Sequence, residues 1–238
     1  MTILCIETST NCCSVALTID GTAVAVAANM NAANHASELP IYIEQVLAQA
    51  KEHGWTIDAI AISQGPGSYT GLRIGTSTAK GLCYGLNIPL IPIDTLQILC
   101  AGAVDKLEQT NQTWVDGAKL YPMLDARRME VYTSIYTREC AREREIEAKI
   151  IDSTSFTEEL SQQDLYFFGN GAQKCQGVIT AANAHWIDGI VPEAKYMGQL
   201  AEKQATNGLD IKQLAYFEPF YLKEFVAAPS HIKGLDSK

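Results

Sequence analysis

The apolar residues of the first hundred positions switch between a spacing of two and a spacing near 3.6, and the switches predict the order of elements. Residues 3–6 form a short continuous apolar run, the mark of a buried strand. Cys13, Val15, Leu17 and Ile19 then alternate with Ser14, Ala16 and Thr18, which puts every second side chain on one face of a second strand. Asp20-Gly21 is a strong hairpin signal and leads into a third strand over 22–28. The period then changes. Leu39, Ile43, Val46, Leu47 and Ala50 share one helical face, with Asn34 or Ser37 as cap and an end near His53-Gly54. Pro40 is acceptable only in the first turn of such a helix, where its missing N–H has no helical partner. Residues 57–63 return to a strand, 70–84 to a helix and 89–93 to a strand. Asp94 or Thr95 caps a further helix through about Ala103.

Three strands, then helix, strand, helix, strand, helix, is the order of the ribonuclease-H-like core, which actin-like proteins use twice in tandem. The second half offers strands at 119–124, 131–136, 145–151 and 165–168, the last closed by Gly169-Asn170-Gly171. A helix is expected from about Glu193 to Thr206, stopped by Asn207-Gly208. The expected architecture is therefore α/β and actin-like (ASKHA), with two ribonuclease-H-like lobes built on mixed sheets. The polar stretch 105–112 divides a first lobe (1–104) from a second, smaller lobe (105–238), and the late helix is left free to pack back on the first.

Composition narrows the function. With 47% hydrophobic and 19% charged residues, the 238-residue chain carries an ordinary core without staples. Its seven cysteines are odd in number and lack a CxxC pair, which suits reduced core thiols better than disulfides or a zinc site. No apolar run nears the roughly 20 residues that span a bilayer, and the first residues enter a strand without a basic leader. The expectation is a cytoplasmic protein with no membrane contact. Net charge is −9, and the richest basic stretch, 138–149, interleaves Arg142, Arg144 and Lys149 with four glutamates. Direct grip on nucleic acid by this chain alone is disfavoured, because phosphate contact by Lys and Arg supplies most of such affinity.

The segment from Ser63 to Arg73, with Gly65-Pro66-Gly67-Ser68-Tyr69-Thr70-Gly71, is the most distinctive in the chain. It fails as a Walker loop, because Leu72-Arg73 stands where Lys-Ser/Thr is needed. The dinucleotide fingerprint is excluded by Thr70 in the place of its third Gly, and the serine-hydrolase elbow by Pro66. What remains is a rigid strand-to-helix turn with backbone N–H groups at a helix start, able to fix backbone geometry or hold an anion. In the helix that follows, Gly71, Gly75, Ala79 and Cys83 recur every four residues. An interior helical Gly costs about 1 kcal/mol against Ala, so the stripe needs a close neighbour as its reason. That neighbour is either the chain's own sheet and first helix or a second protein.

The opening Ile6-Glu7-Thr8-Ser9-Thr10, the block from Gly65 to Gly75, Lys80-Gly81-Leu82, Asp125-Ala126-Arg127-Arg128-Met129-Glu130-Val131-Tyr132 and Pro219-Phe220-Tyr221-Leu222-Lys223 together resemble the TsaB (YeaZ) family. The likeness covers nearly the whole chain. It implies a non-catalytic subunit of the bacterial machinery that makes threonylcarbamoyladenosine in tRNA. In that machinery a paralogous partner, TsaD, holds the metal and the chemistry, and a small ATPase, TsaE, joins the pair. The resemblance also implies docking through the first two helices, self-association as a homodimer through the same face, and contact with tRNA only through the complex. It tips the stripe towards an interface, so the expected partner-facing residues are His35, Leu39, Ile43, Gly71, Gly75, Ala79 and Cys83. On that reading Gly75→Trp abolishes pairing without changing the secondary structure.

Other residues are candidates for chemistry. A divalent metal on a helix wants His at i and i+4, but the residue four after His35 is Leu39, so no metal ligand set is expected. Glu7-Thr8-Ser9 stands at the first hairpin, where actin-like kinases place an acid and hydroxyls around phosphate, with Glu where those members usually have Asp. The expectation is no cofactor on the isolated chain, with room for weak residual nucleotide binding. Arg127 matches a family position, and the resemblance implies a side chain open to a partner or the inter-lobe cleft. No catalytic residue is assigned, and the alternatives are a small actin-like kinase or a glycoprotease-like metallopeptidase.

Overall fold

A computed structural model describes residues 1–205, 208 and 210–223. Its first sheet has the strand order β3-β2-β1-β4-β5, from β1 (Thr2–Glu7), β2 (Cys13–Ile19), β3 (Thr22–Asn29), β4 (Ala59–Gly65) and β5 (Leu90–Asp94). The first three strands are antiparallel and β4 and β5 run parallel to β1. Asp20 and Gly21, both at positive φ, make the β2–β3 turn. The second sheet repeats the order as β10-β9-β6-β7-β8, from β6 (Lys119–Asp125), β7 (Glu130–Thr133), β8 (Glu147–Ile150), β9 (Leu165–Phe168) and β10 (Ala184–Ile187). Its strand directions follow the first sheet's: β6–β7–β8 antiparallel, β6–β9–β10 parallel. The same plan thus occurs twice.

Three long helices serve the first lobe. Helix α1 (His35–His53) is capped by Asn34, whose side chain accepts from the Ala36 N–H, and ends at Gly54 in the left-handed conformation. Pro40 is the sixth residue of this helix, deeper than its first turn; it is exposed, so the missing N–H costs a helical bond without burying an orphan group. Helix α2 is Tyr69–Leu86, and α3 is Thr95–Gln109 with Asp94 as cap. Position 105 falls inside α3, because Leu107 keeps its apolar face buried past the polar residues around it.

A large apolar cluster joins the lobes. It packs Ile3, Ile91 and Leu99 from the first with Leu120, Tyr136 and Phe168 from the second. Buried Asp94 ties them further, accepting from the Tyr136 hydroxyl at 2.5 Å with Arg142 at 3.6 Å. Removing that hydroxyl leaves a buried carboxylate short of one donor, so Tyr136→Phe should lower stability by about 2 kcal/mol. A urea titration checks this.

Short helices fill the rest: α4 (Thr157–Gln162), α5 (Gly198–Gln204) and α6 (Ile211–Leu214). The expected long late helix is broken into a single 3-10 turn, Ala194–Tyr196, and α5. Both return to the first lobe: the Ala194 N–H donates to Ser14 Oγ at 2.9 Å, and Gly198 lies against the Gly21 carbonyl. The stop at Asn207 lies outside the described residues. None of the described helices is long and apolar enough to cross a membrane.

Candidate functional site

The glycine segment closes over the chain's own first hairpin turn. The Ser68 N–H donates to the Ser9 carbonyl at 2.6 Å, and the Thr8 hydroxyl donates to the Gly71 carbonyl at 2.9 Å. A Cβ at Gly67 would lie far inside 3.0 Å of the Ser9 carbonyl, one at Gly71 of the Thr8 carbonyl, and one at Gly75 of Thr8 Oγ1. Gly67 and Gly71 are therefore required by close approach of main chains within one lobe, and Gly75 by the Thr8 and Ile62 side chains. The turn between β1 and β2 thereby takes up the Ser68 N–H at the start of α2.

This corrects the expected partner-facing set at every position but His35. Gly71, Gly75, Ala79 and Cys83 are all buried, facing Thr8, Ile62 and the core beneath α2. Leu39 and Ile43 lie in the same core. His35 is half-buried, its ring Nε2 3.3 Å from the Cys12 carbonyl oxygen. Spacing of four identified the face of α2 that needs small residues, and that face turns inward.

The opposite face of α2 carries no apolar spacing signal of its own. Ser77, Gly81, Tyr84 and Gly85 are exposed, Tyr84 by 75%, and a Cβ at Gly81 or Gly85 would meet nothing within 4 Å. Exposed Pro40 and Ile41 belong to the neighbouring α1. One flank of α2 is bordered by the segment after α6. Lys80 Nζ donates to the Ala215 and Phe217 carbonyls at 3.1 Å each, Phe220 N–H donates to the Gln64 carbonyl, and the rings of Tyr69 and Tyr221 lie 5.0 Å apart. Between segment and helix is a cavity of about 500 Å³ that includes Arg73 and Lys80. A separate cavity of about 680 Å³ sets Arg138, Lys195 and Lys203 against Asp105, Glu108 and Glu139, a balanced wall without a charge preference.

Glu7 lies fully buried beneath the first hairpin turn. Its Oε1 accepts from the Ser9 N–H at 2.5 Å, and Oε2 has no protein partner. Burial dominates and pushes its pKa from 4.5 up to about 7, opposed by hydrogen bonds from Ser9. A carboxyl raised in the folded state contributes stability that is complete below its unfolded pKa and lost as pH rises through its folded one. Between pH 4.5 and 7.5 the native chain should lose roughly 3 kcal/mol relative to Glu7→Gln, whose stability lacks that slope. Thermal melts of both proteins across this range decide it; parallel curves would mean Glu7 titrates normally.

Asp125 and Arg127 lie at the turn between β6 and β7, on the second lobe. Gly169 and Gly171 pack against the backbone of Met123 and Asp125, so this segment too is a close approach of main chains. Among the described residues no three His, Cys, Asp or Glu side chains gather as a metal ligand set.

A duplicated ribonuclease-H-like sheet with a glycine block locked onto its first hairpin defines a protein of the actin-like class. The family model described as "TsaD: tRNA N6-adenosine threonylcarbamoyltransferase" matches residues 26–228. The tRNA threonylcarbamoyladenosine biosynthesis protein TsaB of Haemophilus influenzae is 30% identical over 95% of both chains, and that of Escherichia coli 35% identical over 58% of this chain and 56% of its own. A Pseudomonas aeruginosa structure described as similar to peptidase YEAZ superposes with a TM-score of 0.75 at 25% identity, covering 93% of this chain and 99% of its own. The chain belongs to the TsaB (YeaZ) family, within the wider group that the transferase model describes.

Proposed function

We propose that this chain takes part in threonylcarbamoyladenosine biosynthesis on tRNA as a non-catalytic, cytoplasmic subunit. It docks a TsaD-like transferase through the outer faces of α1 and α2, and a TsaE-like ATPase joins the pair. Alone, the chain forms a homodimer through the same face, carries no cofactor, and meets tRNA only through the complex. The observation that carries the reading is the two-sidedness of α2: its inner small residues are consumed by the chain's own hairpin, while Gly81 and Gly85 leave the outer surface bare beside a largely exposed Tyr84. Bare helix backbone beside an exposed aromatic is suited to close approach by another helix.

The test is to purify the tagged chain with and without the TsaD-family protein of the same organism and assay tRNA modification. The pair should co-elute, and the chain alone should neither modify tRNA nor bind magnesium-ATP tightly. Modification by the isolated chain would overturn the non-catalytic reading, and micromolar ATP binding to it would favour the kinase alternative.

A further inference from the structure

The turn between β6 and β7 carries two arginines in a backbone conformation that ordinary side chains avoid. Arg127 has φ 70° and Arg128 φ 50°, successive left-handed residues where Gly or Asn is favoured. The turn is nonetheless firmly held. Ala126 N–H donates to the Glu130 carbonyl at 3.1 Å, Glu130 N–H to the Arg127 carbonyl at 3.1 Å, and Arg127 N–H to Asp125 Oδ1 at 3.1 Å. Asn170 from the loop after β9 accepts the Asp125 N–H at 2.9 Å. Strain kept in a rigid turn points to a use for the side chains it displays.

The charges around it are arranged to leave both guanidiniums free. Lys174 pairs with Asp125 and Lys223 with Glu130, so each carboxylate of the hairpin already has a cation. Arg127 and Arg128 are exposed, and neither guanidinium has a hydrogen-bond or ion-pair partner among the described residues. Four cations face two carboxylates here, a local excess of two positive charges in a chain of net charge −9.

We propose that Arg127 and Arg128 are a phosphate contact for the RNA on which the complex acts. The inference rests on the proposed function and adds the place where this subunit touches the substrate. A strongly acidic chain repels a polyanion at long range, so an RNA contact on it must be local and pre-ordered, as this turn is. Guanidinium forks match phosphodiester oxygens in a bidentate way, and a pair of them spans neighbouring phosphates. An acidic face on a protein partner is the competing occupant, and the test separates the two.

The experiment compares the native chain with Arg127→Asn/Arg128→Gly, each assembled with its TsaD-family partner. Affinity for an unmodified tRNA transcript is read by fluorescence anisotropy at several salt concentrations. The double variant should co-elute with the partner as before, bind tRNA about tenfold more weakly, and lower the salt slope by about 2. By relieving the left-handed strain it should also melt about 2 °C higher, a sign opposite to that of a damaged fold. Arg127→Lys/Arg128→Lys should keep most of the salt slope. Unchanged tRNA affinity and slope would overturn the inference, and loss of pairing in the variant would overturn it in favour of an acidic protein face. Failure of the native chain to pair would remove the proposed function and this inference with it.

Discussion

Gly71→Ala should destabilise the isolated chain by about 3 kcal/mol, a fall in melting temperature of roughly 6–12 °C for a protein of this size. In most helices the same change stabilises by up to about 1 kcal/mol, because Ala loses less backbone freedom. Here the new methyl would meet the Thr8 carbonyl, which cannot retreat: β1 is hydrogen-bonded to β2 on one side and β4 on the other, and Thr8 directly follows it. The control is on the same helix. Gly81→Ala meets nothing within 4 Å and should show the ordinary gain. Opposite signs in one melting experiment would establish that the inner face of α2 is packing. Equal, small effects at both sites would show that the hairpin turn yields.

Gly81→Trp should weaken pairing with the TsaD-family partner by about a hundredfold or more, while the melting temperature of the chain alone stays within a few degrees. An indole placed where a neighbouring helix must come close removes the contact. In the free chain it projects into open space, so the fold has no reason to respond. Size-exclusion chromatography of the mixed proteins reads the pairing, and normal co-elution of the variant would dismiss the outer face of α2 as the docking surface. Gly75→Trp, the substitution that spacing alone recommends, cannot serve here. Its side chain would enter the space held by Thr8 and Ile62 and break the fold, so lost pairing would carry no information about an interface.

What could be read without coordinates was local. The meander, the turn at Asp20-Gly21, the cap at Asp94 and most strands of the second sheet follow from alternation, turn chemistry and hydrogen-bonding side chains acting over a few residues. Strand β10 escaped because Ala184, His185, Trp186 and Ile187 show no clean alternation; its place is set by parallel pairing with β9, about twenty residues earlier. The late helix is shorter than its sequence predicts for a related reason. Its turns bend around Ser14 and Gly21, which lie far away in sequence.

The glycine block shows where the division falls. By itself the sequence determined that α2 carries one side of small residues and that the loop before it fits none of the familiar phosphate or nucleophile motifs. Both are statements about spacing, and spacing is fixed by the chain. Which neighbour the small side meets was decided only by the tertiary structure, which brings Thr8 and Ser9 onto residues 67–75 across some sixty positions. A helix periodicity gives an angle about its own axis, but it has no reference to what stands on either side. Once the sheet has formed, that reference exists: the small residues turn inward, and the bare glycines at 81 and 85 become the surface a partner can reach.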